Sequence, residues 1–95
     1  MALTVEFLSL PIVTKIVGSK TITVDFTGQT VEGLIQEVSE KYGRKVQQFL
    51  LGDDGRLDMM LKVLRNQQEW IHPEQMHKPL EDNDRITIML LAAGG

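Results

Sequence analysis

The chain has 95 residues, no cysteine, and 13 acidic against 10 basic side chains, a net charge of -3. That length supports one small domain, and the absence of cysteine excludes disulfides, thiolate metal sites and a cysteine nucleophile. The acidic balance argues against nucleic-acid binding, which shows a basic footprint.

No run approaches the roughly 20 apolar residues that cross a membrane. The apolar stretch Phe7 to Val13 is broken by Ser9 and Pro11 and has no basic region before it, so it does not read as a signal peptide. A cytoplasmic location is expected. So small a chain has little room for a deep active site, which favours a carrier, a modifier or a binding module over a self-sufficient enzyme.

Taken in chain order, Leu3 to Leu8 alternates, with Leu3, Val5 and Phe7 on one face and Thr4 and Glu6 on the other. That is the period of a half-buried strand. Pro11 can end its pairing, having no N–H to donate. A loop with a turn at Gly18-Ser19 leads to a second alternating strand, Thr21 to Phe26, with Ile22, Val24 and Phe26 inward, and the two strands suggest a hairpin.

The clearest helix follows Gly28. Val31, Leu34, Ile35, Val38 and Tyr42 make one apolar stripe, and Thr30 is placed to cap the free N–H groups of the first turn. Glu32 and Glu37 early, with Lys41, Arg44 and Lys45 late, complement the helix dipole. Gly43 suits the left-handed position that ends helices. Arg44 to Leu51 predicts a second short helix with Val46, Phe49 and Leu50 on its apolar side, and Gly52-Asp53-Asp54-Gly55 is turn chemistry.

Leu61 to Arg65 reads as a strand, Asn66 to Glu69 as a polar turn, and Trp70-Ile71 as a short return strand. Pro73 to Lys78 is a loop. Leu80 anchors an acidic turn, Glu81-Asp82-Asn83-Asp84, and the last strand runs from Arg85 to Leu91 with Ile86, Ile88 and Leu90 inward. Strands gathered around one main helix predict an α+β fold. The arrangement is the β-grasp: a mixed sheet of four to five strands packed on one main helix. A single domain is expected over residues 1–95, with a flexible tail at 92–95.

The pair Gly94-Gly95 is the most informative feature. Gly is about 7% of average composition, so two in a row at the end arise by chance in roughly 0.5% of chains. Without Cβ atoms the pair can thread a narrow channel. The α-carboxyl of Gly95 is ionised at neutral pH and is an oxygen nucleophile that an ATP-using enzyme could activate. Four extended residues, from Ala92 to Gly95, reach at most about 14 Å beyond the sheet, far enough to enter another protein's active site.

The β-grasp element order ending in Gly-Gly resembles the ubiquitin-like sulfur-carrier family, which includes the small subunit of molybdopterin synthase and the thiamin-pathway sulfur carrier. The likeness rests on the helix start Thr30-Val31-Glu32-Gly33-Leu34, the acidic turn Leu80 to Asp84, with Asn83 where Gly is common, and the ending Ile88 to Gly95. Leu90-Leu91-Ala92-Ala93 departs from the aromatic and proline residues of the molybdopterin-synthase branch. The resemblance implies a protein cosubstrate with no catalysis and no bound cofactor of its own. A ubiquitin-activating-type enzyme, using ATP and Mg, adenylates Gly95; a sulfur donor converts it to a thiocarboxylate; a synthase accepts the sulfur. Gly94, Ala93 and Ala92 give the tail access to these partners. The family also implies an alternative, a modifier joined from Gly95 to target lysines. A non-catalytic β-grasp interaction domain is a third reading.

By alternation Leu8 and Leu91 face away from the core, and together with Leu10 they make an outward apolar patch suited to partner docking, the alternative being local burial at irregular strand ends. Trp70 reads first as a core anchor, with an interface role as the alternative. His72 and His77 lack the spacing of a zinc-binding helix, and Asp53, Asp54 and Asp58 lack that of a calcium loop, so no metal site is expected.

Overall fold

A computed structural model of the chain describes residues 1–90. It contains β1 (Ala2–Leu8), α1 (Pro11–Val17), β2 (Thr21–Asp25), α2 (Val31–Lys41), α3 (Arg44–Leu50), β3 (Leu61–Arg65), β4 (Glu69–Ile71) and β5 (Arg85–Leu90). The five strands form one sheet in the order β2-β1-β5-β3-β4. β5 runs parallel to β1 and antiparallel to β3, so the sheet is mixed and its last strand is its centre. This is the β-grasp.

The alternation in the strands sorts side chains as expected. Leu3, Val5, Phe7, Val24, Val63, Ile71, Ile86 and Ile88 are buried on one face, where they meet Val31, Leu34, Ile35 and Val38 of α2 in a single core. Each such side chain removed from water contributes about 1.5–3 kcal/mol. The Oγ1 of Thr30 accepts a hydrogen bond from the Gly33 N–H at 3.1 Å, the cap foreseen for α2. Gly43 stands at φ +93 between α2 and α3, a conformation that costs a side chain but not glycine.

Three expectations are corrected. The segment expected as loop before Gly18 is the helix α1. Pro11 at its first turn supplies a preset φ and lacks the N–H that would otherwise go unsatisfied there. Gly18 closes it in the left-handed conformation, donating to the Thr14 carbonyl at 2.8 Å. Second, Leu10, expected on the outward patch, is in the core. Ser9 takes φ +57, which breaks the strand's alternation and turns Leu10 inward. Third, Leu90, expected inward, is partly exposed. It sits on the last rung of the ladder, opposite Leu61, at the margin of the core.

The acidic turn ties the start of β5 to two neighbours. The Asp84 carboxylate accepts from Arg65 Nη2 at 2.8 Å, from the Glu81 N–H at 2.8 Å and from Asn66 Nδ2 at 2.9 Å. Asn66 Oδ1 accepts in turn from the Arg85 N–H at 2.8 Å. On the other side Asp82 Oδ1 accepts from the Ala2 N–H at 2.7 Å, and the Asn83 N–H donates to the Ala2 carbonyl. Asn83 has φ +71, which explains why Asn can replace a glycine there.

Candidate functional site

The site is built around the end of β5. Its last residues are hydrogen-bonded on both sides, Met89 opposite Leu8 of β1 and Lys62 of β3, and Leu90 opposite Leu61. The end of β5 is thereby held within the sheet. Leu91, expected in the last strand and on the docking patch, and Ala92, Ala93, Gly94 and Gly95, assigned to the tail and its chemistry, lie outside the described residues.

The sheet's other face, opposite α2, divides into two halves. Next to the exit, register places Leu8, Met89 and Lys62 in one row and Leu64 and Trp70 in the next. Leu8, Lys62, Leu64 and Met89 are half-buried, and Trp70 is 44% exposed. Lys62 Nζ lies 3.7 Å from the centre of the Trp70 ring, and the His72 ring stacks on the same indole with centroids 4.8 Å apart. Trp70 is therefore a surface residue, not the core anchor expected. It occupies the outward position of a strand whose next residue, Ile71, fills the core.

The other half, on β1 and β5, is polar, with Glu6 and Thr87 in the same row as Leu64 and Trp70. Glu6 Oε2 pairs with Arg85 Nη2 at 3.2 Å, and Glu6 Oε1 accepts from Thr87 Oγ1 at 3.0 Å. The Arg85 guanidinium, helped by the Thr87 hydroxyl, holds the Glu6 carboxyl below the usual carboxylate range against the opposite pull of burial. An apolar patch of Leu8, Leu64, Met89 and Trp70, crossed by one lysine cation, thus adjoins the exit. Of the docking residues expected from the sequence, Leu8 is part of this patch and Leu10 is not. Trp70 enters it through the interface role that was its alternative reading, and Met89, Lys62 and Leu64 are not among the docking residues expected. The alternation that turns Ile86 and Ile88 inward turns Met89 outward, so the signal was present.

The remaining candidates resolve as ordinary structure. Asp54 Oδ1 accepts from the Arg56 N–H and Asp58 Oδ1 from the Met60 N–H, both turn contacts. Among the described residues no group of three or more His, Asp or Glu side chains is arranged to hold a metal ion. No helix among them is long and apolar enough to cross a membrane.

A central terminal strand in a mixed sheet over one main helix defines a ubiquitin-like β-grasp protein, and solved structures agree. SAMP1 from Haloferax volcanii superposes with a TM-score of 0.79 at 22% identity over 100% of both chains. The Haloferax volcanii HVO 2177 protein gives 0.74 at 28% identity over 100% of this chain and 87% of that one. A chain of the Amycolatopsis orientalis BexX/CysO complex gives 0.72 at 24% identity over 98% and 99%. Comparison with curated proteins finds no match. Residues 12–95 match the ThiS family, and the chain belongs to that family of ubiquitin-like sulfur carriers.

Proposed function

We propose that this protein is a sulfur-carrying cosubstrate whose reactive group is the carboxyl of Gly95. The observation that carries the reading is the placement of β5. β5 lies between β1 and β3 with its last residues beside an outward apolar patch, and five residues of sequence separate Leu90 from Gly95.

The chemistry follows from the carboxylate. One of its oxygens attacks the α-phosphate of ATP in a ubiquitin-activating-type enzyme, pyrophosphate leaves, and an acyl-adenylate forms. Hydrosulfide, or the outer sulfur of a donor persulfide, then attacks the acyl carbon and AMP leaves; hydrosulfide gives the thiocarboxylate at Gly95 directly, and the acyl disulfide formed with a persulfide is cleaved to it by a thiol, which ends in a disulfide with the donor. A synthase accepts that sulfur. Mg accompanies the ATP in the enzyme. This chain supplies no catalytic group; Leu8, Met89, Leu64 and Trp70 dock the partner, and Gly94, Ala93 and Ala92 give a tail slim enough to enter its active site.

A second reading uses the same carboxyl to form an isopeptide bond with a lysine of a target. It is supported by the fold neighbour named small archaeal modifier protein 1 from Methanosarcina acetivorans. Incubation with ATP, Mg, a family adenylating enzyme and a sulfur donor, followed by intact mass, separates the two. Exchange of one oxygen for sulfur supports the carrier. Conjugates joining Gly95 to lysine support the modifier. No product with several such enzymes overturns both and leaves a β-grasp interaction domain.

A further inference from the structure

Away from the open sheet face, α1 and α3 pack side by side and leave a groove between them. It is lined by Ile12, Lys15, Ile16, Lys45, Gln48 and Phe49. Ile12 and Ile16 stand one turn apart on α1, exposed by 51% and 40%, and Phe49 is half-buried. Neither isoleucine belongs to the core, which α1 reaches through Val13 and the partly buried Val17. The lining holds two cations and no acid. Neither Lys15 nor Lys45 enters an ion pair among the described residues.

The same chain carries a surface of the complementary kind. After α3 the backbone makes a small hairpin, closed by the bridge of Leu51 to Leu57 and by the Gly52 N–H to the Arg56 carbonyl at 2.7 Å. Its tip is Asp53-Asp54-Gly55, and Asp58, Met59 and Met60 follow. Met59 is 86% exposed, the largest value among the described large hydrophobic residues. Three carboxylates against the single cation of Arg56 leave this loop negative. The turn contacts of Asp54 and Asp58 each use one carboxylate oxygen, so the other oxygen of each is available to a lysine. Methionine is unbranched and adapts to irregular apolar grooves.

We infer that this protein self-associates head to tail: the Met59 loop of one copy inserts into the α1–α3 groove of a second copy, with Asp54 and Asp58 meeting Lys15 and Lys45. Charge complementarity selects this occupant. The groove is apolar with a positive rim, and the loop is apolar with negative flanks. One such contact is heterologous: the copy that gives its loop keeps a free groove, and the copy that gives its groove keeps a free loop, so further copies can add. A single loop in a groove is smaller than the roughly 1,200 Å² of a standard interface, so the association is a weak one. The inference does not depend on the chemistry of Gly95.

Sedimentation velocity on the full chain from about 10 µM to 1 mM tests it. The wild type is expected to rise from monomer toward dimer and longer species, with association weakened about tenfold between low and high salt. Two variants are then compared, Lys15→Glu with Lys45→Glu, which spoils the groove, and Met59→Ser, which spoils the loop. Each alone is expected to stay monomeric. Mixed in equal amounts they should form a dimer and nothing larger, because the first still has its loop and the second its groove. Circular dichroism and thermal melting matching the wild type confirm that both variants are folded. A wild type that is monomeric at 1 mM, variants that associate like the wild type, or a mixture that stays monomeric would each overturn the inference.

Discussion

Arg65 Nη2 lies 2.8 Å from Asp84 Oδ2, and this contact joins the end of β3 to the turn that starts β5. Both side chains are mostly shielded from water, at 16% and 7% exposure. Burial alone would push the Asp84 carboxyl up. The Glu81 N–H, the Asn66 amide and the Arg65 guanidinium outweigh it, and the net shift is downward. The strand β5 is therefore placed by a buried carboxylate on one side and by Asp82 on the other.

Asp84→Ala should destabilise the domain by about 1–3 kcal/mol, since it strands a guanidinium, an amide and a backbone N–H. The pH dependence has a definite sign. A carboxyl whose folded pKa is depressed stabilises fully above its unfolded value, near ~3.9, and loses that contribution as pH falls through the folded value. Urea midpoints of wild type and variant should therefore differ at pH 7 and converge as the pH drops below about 4. A constant gap down to pH 2 would contradict the assignment.

Thr30→Ala removes the acceptor for the Gly33 N–H and should cost about 1 kcal/mol, within the range for lost N-caps. Thr30→Ser keeps an acceptor and should recover most of it. Equilibrium urea unfolding of the three proteins measures both differences.

Leu8 and Leu10 separate strand alternation from the turn at Ser9. Leu10→Ala should cost about 2–5 kcal/mol, as for a fully buried leucine. Leu8→Ala should cost less than half of that, because Leu8 is half-buried on the open face. Equal losses on thermal or urea unfolding would place both residues in the same environment and refute the corrected position of Leu10.

Trp70 is the single tryptophan of the chain, which makes it a reporter for the open face. Its emission should shift to the blue when an adenylating enzyme docks there. Trp70→Ala should leave the melting temperature within a few degrees of wild type and lower kcat/KM for adenylation by about tenfold or more, the loss expected for a central aromatic contact. Unchanged kinetics would move the docking surface elsewhere.

Much of this architecture is written in local patterns. The alternation of Leu3, Val5 and Phe7, the stripe from Val31 to Tyr42 and the cap at Thr30 each report their own element, because side-chain period follows backbone geometry. α1 is harder to read. Two turns are too short to establish a helical period, and Ile12, Val13, Ile16 and Val17 are β-branched, with low helix propensity. What holds α1 is Pro11 at one end, Gly18 at the other and Val13 packed beneath, and the last of these is tertiary. The left-handed Ser9 that buries Leu10 has no sequence signature either. The parallel pairing of β1 with β5 joins residues about 80 positions apart, as between Glu6 and Thr87, which no local pattern encodes. The candidate docking face was half legible: the outward set follows from the inward set, but its split into an apolar part and an ion-paired part emerges only once the register aligns Glu6 with Thr87 and Leu8 with Met89.

The most direct measurement is ATP–pyrophosphate exchange catalysed by a family adenylating enzyme, with the full chain and with a chain lacking Gly95. The account predicts exchange that depends on the full chain and disappears when Gly95 is removed, while the melting temperature is unchanged. Exchange that persists without Gly95 would contradict it, because the reacting carboxyl would then belong to another residue.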